Sequence, residues 1–128
     1  MSDDRKQEGT ISFQGKEHCL NVGRDVIRSL GCPLYVALFV SERGNSLAIT
    51  PCDEKNPISF KVPESFLESE NAQFRIHSKQ FVDGVLMSAQ KDLNKTYRVK
   101  GYYDAEHNAM IFSFEDFMPL AANRIIVI

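Results

Sequence analysis

Residues Tyr35–Ile49 (YVALFVSERGNSLAI) and Tyr97–Ile111 (YRVKGYYDAEHNAMI) follow one plan, 62 residues apart. Each begins on Tyr, runs about seven residues, turns through a polar cluster and returns on an apolar strand ending in Ile. The clusters Ser41–Ser46 and Asp104–Asn108 carry the Gly, Asn, Asp and Ser chemistry of hairpin turns. Two further correspondences keep the same order. Leu20–Val22 (LNV) answers Phe74–Ile76 (FRI), and Ile11–Phe13 (ISF) recurs at Ile58–Phe60. The offset grows because the second half carries a connector, Pro63–Ala72, and a longer helical region before Tyr97. Each half thus reads strand, short strand, helix, hairpin.

Two half-exposed β-units of this kind leave sheet edges open. Interleaving them into one closed barrel removes the edges and gives a shared core. The expected fold is α+β and β-rich: one small closed barrel over 10–114, made of two similar β-β-α-β-hairpin halves at 10–52 and 58–114. The division falls near Asp53–Pro57. Residues 1–9 are expected to be a disordered tail. Residues 115–128 are expected to pack on the body or to serve association, because RIIVI at Arg124–Ile128 puts four branched apolar residues in a row.

Local signals fit this plan. Ile11, Phe13, Leu20 and Val22 alternate with polar residues, as half-buried strands do. A first helix is expected from Arg24 to Leu30, with Val26, Ile27 and Leu30 on the apolar side and Arg24, Asp25 and Arg28 on the solvated one. Gly23 stands at its N-cap, and Gly31 with Pro33 stops it. A second helix starts at Ser78, a good N-cap, with Phe81, Val82, Val85, Leu86 and Ala89 as its stripe. Gly84 weakens that helix by about 1 kcal/mol relative to Ala, so it needs close packing there or other tertiary support.

Composition removes whole classes. At 128 residues the chain is one domain, or two small halves sharing a core. No run approaches the ~18 apolar residues of a membrane helix, and the start, MSDDRKQEGT, is too charged for a signal peptide. The expected address is cytoplasmic. Three cysteines, Cys19, Cys32 and Cys52, are odd in number and lack C-x-x-C spacing, which suits reduced thiols. The net charge of −2 gives no global basic field for nucleic acid.

The stretch LNVGRDVIRSLGCPLYVALFV followed by SERGNSLAI resembles the AbrB-like swapped-hairpin domain of bacterial and archaeal regulators. The match covers about Ile11 to Cys52, and Leu30-Gly31 falls where that family has its Leu-Gly. The second half keeps the hairpin but lacks the Leu-Gly stop, and Gly23 stands where the family usually has Pro. The resemblance implies a cradle-loop barrel, built in the family by two chains and here by two repeats of one chain. The double-psi barrel is the related alternative.

It also implies a non-enzymatic regulator that meets DNA phosphates near the strand-to-helix corner and the early strands. The matching candidates are Lys16, Arg24, Arg28, Arg75, Lys79, Arg98 and Lys100. Clustered Lys and Arg of this kind release counterions and give salt-dependent binding. Asp25, Glu17, Asp83 and Glu106 interrupt the basic field. The competing expectation is a module on the same barrel that binds a protein or small ligand and no DNA.

Other chemistries have little support. The corner NVGRD offers an anion-binding turn without a phosphate-loop or dinucleotide glycine pattern. His18, Cys19, His77 and His107 show no metal-ligand spacing, so no metal and no cofactor are expected. No nucleophile elbow is present, and Ser78 is better placed as a cap than as a nucleophile, so no catalytic residue is expected. CDEKNP and ESFLESE read as solvated linkers. Phe60, Phe66, Phe114, Phe117 and Met118 flank the linker and the tail, either folding back as core or presenting a partner surface.

Overall fold

The computed structural model describes residues 7–119. Nine strands and two helices follow in the order β1 (Glu8–Gln14), β2 (Cys19–Val22), α1 (Arg24–Ser29), β3 (Tyr35–Val40), β4 (Ser46–Pro51), β5 (Phe60–Lys61), β6 (Phe74–His77), α2 (Lys79–Ser88), β7 (Thr96–Asp104), β8 (Ala109–Ser113) and β9 (Phe117–Pro119). Every pairing is antiparallel, in the order β5-β3-β4-β8-β7-β1-β2-β6. These eight strands curl into a small, nearly closed barrel, with β5 and β6 on either side of the gap. β9 pairs with Tyr97–Val99, alongside the stretch of β7 that β8 leaves uncovered.

Alternation along the strands decides which wall faces inward. Phe74, Val22, Ile11, Val99 and Phe117 lie opposite one another across five strands, and all five are buried. The next inward row, Ile76, Leu20, Phe13 and Tyr97, is buried as well. The helices add Val26 and Ile27 from α1, and Val82, Val85 and Leu86 from α2. The stretch from Ile11 to Val22 therefore mainly builds core.

Both helix ends behave as their residues dictate. Gly31 takes a left-handed φ of 85°, while Gly31 N–H donates to Arg28 O and Cys32 N–H to Ile27 O, the paired bonds that close a helix C-terminus. Ser78 Oγ accepts from Phe81 N–H at 3.2 Å and caps α2. No side chain approaches Gly84, so α2 is held by its apolar stripe and not by close backbone packing.

The five-element order of residues 8–51 recurs over 60–113. The pairing is not duplicated, since β1 pairs with β2 whereas β5 and β6 do not pair with each other. The Ile11/Ile58 correspondence also fails at the level of packing. Ile11 is buried but Ile58 is exposed, because the turn after Asp53 bonds Ile58 N–H to Asn56 Oδ1 and leaves β5 only two residues. A second correction concerns ESFLESE. It is no solvated linker, since Phe66 is only 2% exposed and stands edge-on to Phe74 in the core. β1 begins at Glu8, two residues ahead of the expected barrel start. Of the C-terminal segment, Phe117 enters the core while Met118 stays exposed; RIIVI lies outside the described residues.

Candidate functional site

The outer wall of β6-β2-β1-β7 carries the opposite chemistry to the core. Arg75, Asn21, Ser12 and Arg98 lie directly across from one another on these four strands. The two arginines are exposed and the two short residues half-buried. Three strand spacings put the arginine backbones about 14 Å apart. Thr10 and Lys100 form the next outward pair.

The strand-to-helix corner overhangs this wall. Gly23 N–H donates to Thr10 O at 2.9 Å, and Asp25 Oδ1 accepts from Thr10 N–H at 3.1 Å and from Val26 N–H at 2.9 Å. A Cβ on Gly23 would stand 2.6 Å from both Thr10 O and Asp25 Oδ1, so the corner closes only with glycine. The family resemblance expects Pro here, and this chain's Gly is explained by its N–H bond.

Arg24 then reaches sideways. Its Nε donates to Phe66 O at 2.8 Å, and its Nη2 donates to Ala72 O at 2.6 Å and also to Ser69 O. The guanidinium lies 4.9 Å above the Phe66 ring. Connector residues 66–72 are thereby fastened to α1, and the result is a cleft of about 540 Å³. Ser12 and Asn21 line its wall, Arg28 and Arg98 flank it, and Glu70 and Gln73 border it from the connector.

The seven sequence candidates divide sharply. Arg28 and Arg98 line the cleft, and Arg75 continues its polar row. Arg24 is in the cleft wall, but its fork is held by backbone carbonyls. Lys100 Nζ lies 3.4 Å from Glu8 Oε1. Lys79 belongs to the other end of the barrel, where its Nζ lies 2.8 Å from Asp83 Oδ2 and His18 Nδ1 lies 3.2 Å from Asp83 Oδ1. Those bonds, Lys79 first, hold the Asp83 carboxyl below the usual carboxylate range. Lys16 is exposed on the 3-10 turn between β1 and β2.

Sequence reasoning missed Ser12, Asn21, Glu70 and Gln73. For Ser12 and Asn21 the only signal was a polar residue between apolar neighbours in ISF and LNV, which does not say that the two strands lie side by side, and Glu70 and Gln73 carried no signal beyond a polar connector. Among the described residues, the side chains of Ser12, Asn21, Arg28, Glu70, Gln73, Arg75 and Arg98 have no hydrogen bond or ion pair. Five of the seven, Arg28, Glu70, Gln73, Arg75 and Arg98, are exposed to solvent, so the cleft presents polar groups of both signs that a ligand could reach.

Elsewhere, the carboxylates of Asp104 and Glu106 and the His107 ring lie within 4.8 Å of one another at the tip of the β7–β8 hairpin. Asp104 Oδ1 also accepts from Glu106 N–H, so the cluster organises the turn. Cys19 is buried, which pushes its thiol pKa up, Cys52 is half-buried and Cys32 exposed. No helix among the described residues is long and apolar enough to cross a membrane. Compared with models of known families, with curated proteins and with solved structures, the chain matches none.

Proposed function

We propose that the protein is a non-enzymatic regulator, a single-chain counterpart of the AbrB-like swapped-hairpin dimers, that grips duplex DNA by its phosphates. The observation that carries this is the outer row Arg75–Asn21–Ser12–Arg98, with Arg28 at its rim. Three unengaged guanidinium groups on one wall supply a local positive field despite the net charge of −2. The recurrence of the element order supports the two-repeat reading, as does the pairing of Leu20–Val22 with their counterparts Phe74–Ile76.

Three phosphate contacts predict a log-log salt slope of about −2.7, so affinity for a random duplex falls roughly 40-fold from about 50 to 200 mM salt. Replacing Arg75, Arg98 or Arg28 by Ala removes about 0.9 from the slope each time. Lys79→Ala leaves it unchanged. Absence of duplex binding at the lowest salt, or a slope indifferent to all three arginines, refutes the proposal.

The competing reading, a protein-binding module, draws on the opposite wall. There Phe39, Ala48, Ile111 and Tyr102 lie across from one another on β3-β4-β8-β7, an apolar row on an outer face, with Phe39 47% exposed. Capture of partners by wild type that fails with Phe39→Ser favours it over DNA.

A further inference from the structure

We infer that the cleft between α1, the connector and the β1–β2 wall binds a small sugar phosphate, a phosphomonoester whose body carries hydroxyl groups. The cleft, at about 540 Å³, is in the range of small-ligand sites. Arg28 and Arg98 both line it with their forks unengaged, and a guanidinium pairs with phosphate oxygens through two parallel bonds. Asn21 and Gln73 supply amide donors and acceptors, Ser12 a hydroxyl, and Glu70 a carboxylate that accepts from hydroxyls.

The carboxylate is the informative residue. A surface built only to hold phosphates has no use for Glu70, which repels them, whereas a ligand with a charged end and a hydroxylated end needs both signs. The body of the ligand is a sugar and not a base, because among the described residues the cleft has no free ring to stack on. Phe66, the one aromatic among its described lining residues, is buried beneath the Arg24 guanidinium. Arg24 and Asp25 shape the site without facing the ligand, since backbone groups already hold them.

The inference shares residues with the duplex reading but does not depend on it. If both hold, sugar phosphate and DNA compete for Arg28 and Arg98, which makes the metabolite an effector. The test is an amide-shift titration of the whole chain, followed at Ser12 and Asn21, with ribose 5-phosphate, inorganic phosphate, ribose and adenosine monophosphate as separate probes. Ribose 5-phosphate should saturate, with inorganic phosphate at least about tenfold weaker and ribose alone without effect. Arg28→Ala and Arg98→Ala should each weaken ribose 5-phosphate about tenfold or more. Glu70→Ala should weaken ribose 5-phosphate and leave inorganic phosphate unchanged.

All these variants alter exposed side chains, so their spectra report binding in a folded chain. No saturable shift with ribose 5-phosphate overturns the inference, as does wild-type affinity for it in both arginine variants. Adenosine monophosphate binding more than tenfold tighter than ribose 5-phosphate overturns the sugar assignment. Duplex binding without sugar-phosphate binding sinks only this inference, and the reverse sinks only the DNA reading.

Discussion

Arg24→Ala should unfasten the connector and leave the polar wall in place. Arg24 Nε and Nη2 donate to the carbonyls of Phe66, Ser69 and Ala72, and the charge lies 4.9 Å over the Phe66 ring. Two charge-assisted donors at about 1.5 kcal/mol each, plus about 0.5 kcal/mol from the ring, give roughly 3.5 kcal/mol. Arg24 is only half-buried, so water replaces part of this in the variant, and about 2–3 kcal/mol remains. For a chain of this size that lowers Tm by roughly 8–12 °C. Arg28, exposed one turn further along α1, should cost less than about 0.5 kcal/mol when replaced by Ala. Thermal unfolding followed by circular dichroism, with hydrogen exchange at residues 66–72, separates the two. The reasoning fails if Arg24→Ala melts within 2 °C of wild type, or if Arg28→Ala is equally destabilised. Arg24→Lys should recover little, because an ammonium lacks the planar fork that reaches separate carbonyls.

Two further outcomes follow from the corner and from the β7–β8 turn. Gly23→Pro installs the residue usual in the AbrB-like domains that the sequence resembles and suits the observed φ of −77°, yet it removes the N–H that bonds Thr10 O and crowds Asp25. It should lower the urea midpoint by the equivalent of about 2–4 kcal/mol, and a variant within 0.5 kcal/mol of wild type refutes this account. At the turn, the bond between His107 Nδ1 and Asp104 Oδ2, at 2.7 Å, raises the His107 pKa and lowers that of Asp104. The raised histidine stabilises the fold fully below its unfolded value of about 6.5, and this is lost as pH rises through the folded value. The lowered carboxylate contributes above about 3.9 and is lost as pH falls through its folded value. The turn is therefore tightest between about pH 4 and 6.5. An NMR titration should give His107 a midpoint above about 6.5 that Asp104→Asn lowers, the Glu106 charge still holding it up in part. Equal midpoints in the two proteins contradict the pairing.

The local half of this architecture was legible because local residues decide it. Gly31 and Ser78 mark helix ends, and the turn residues at Ser41–Ser46 and Asp104–Asn108 mark hairpins. What escaped depends on groups far apart in the chain. Ile58 matches Ile11 by letter, but two bonds within its own turn hold it outside the sheet. The role of Arg24 rests on carbonyls 42–48 residues away, and a backbone acceptor leaves no trace in residue types. The candidate site escaped for the same reason. Ser12 and Asn21 become neighbours only once β1 and β2 are in register, and Arg75 and Arg98 join them through two more pairings.

Every strand of residues 8–51 takes a partner from residues 60–113: β1 with β7, β2 with β6, β3 with β5 and β4 with β8. As the chain leaves the ribosome, the first four strands must therefore wait with at least one edge bare until their partners emerge. Pairings of such long sequence separation close slowly, and an unpaired apolar edge invites association meanwhile. The vulnerable interval in this protein's life is its synthesis.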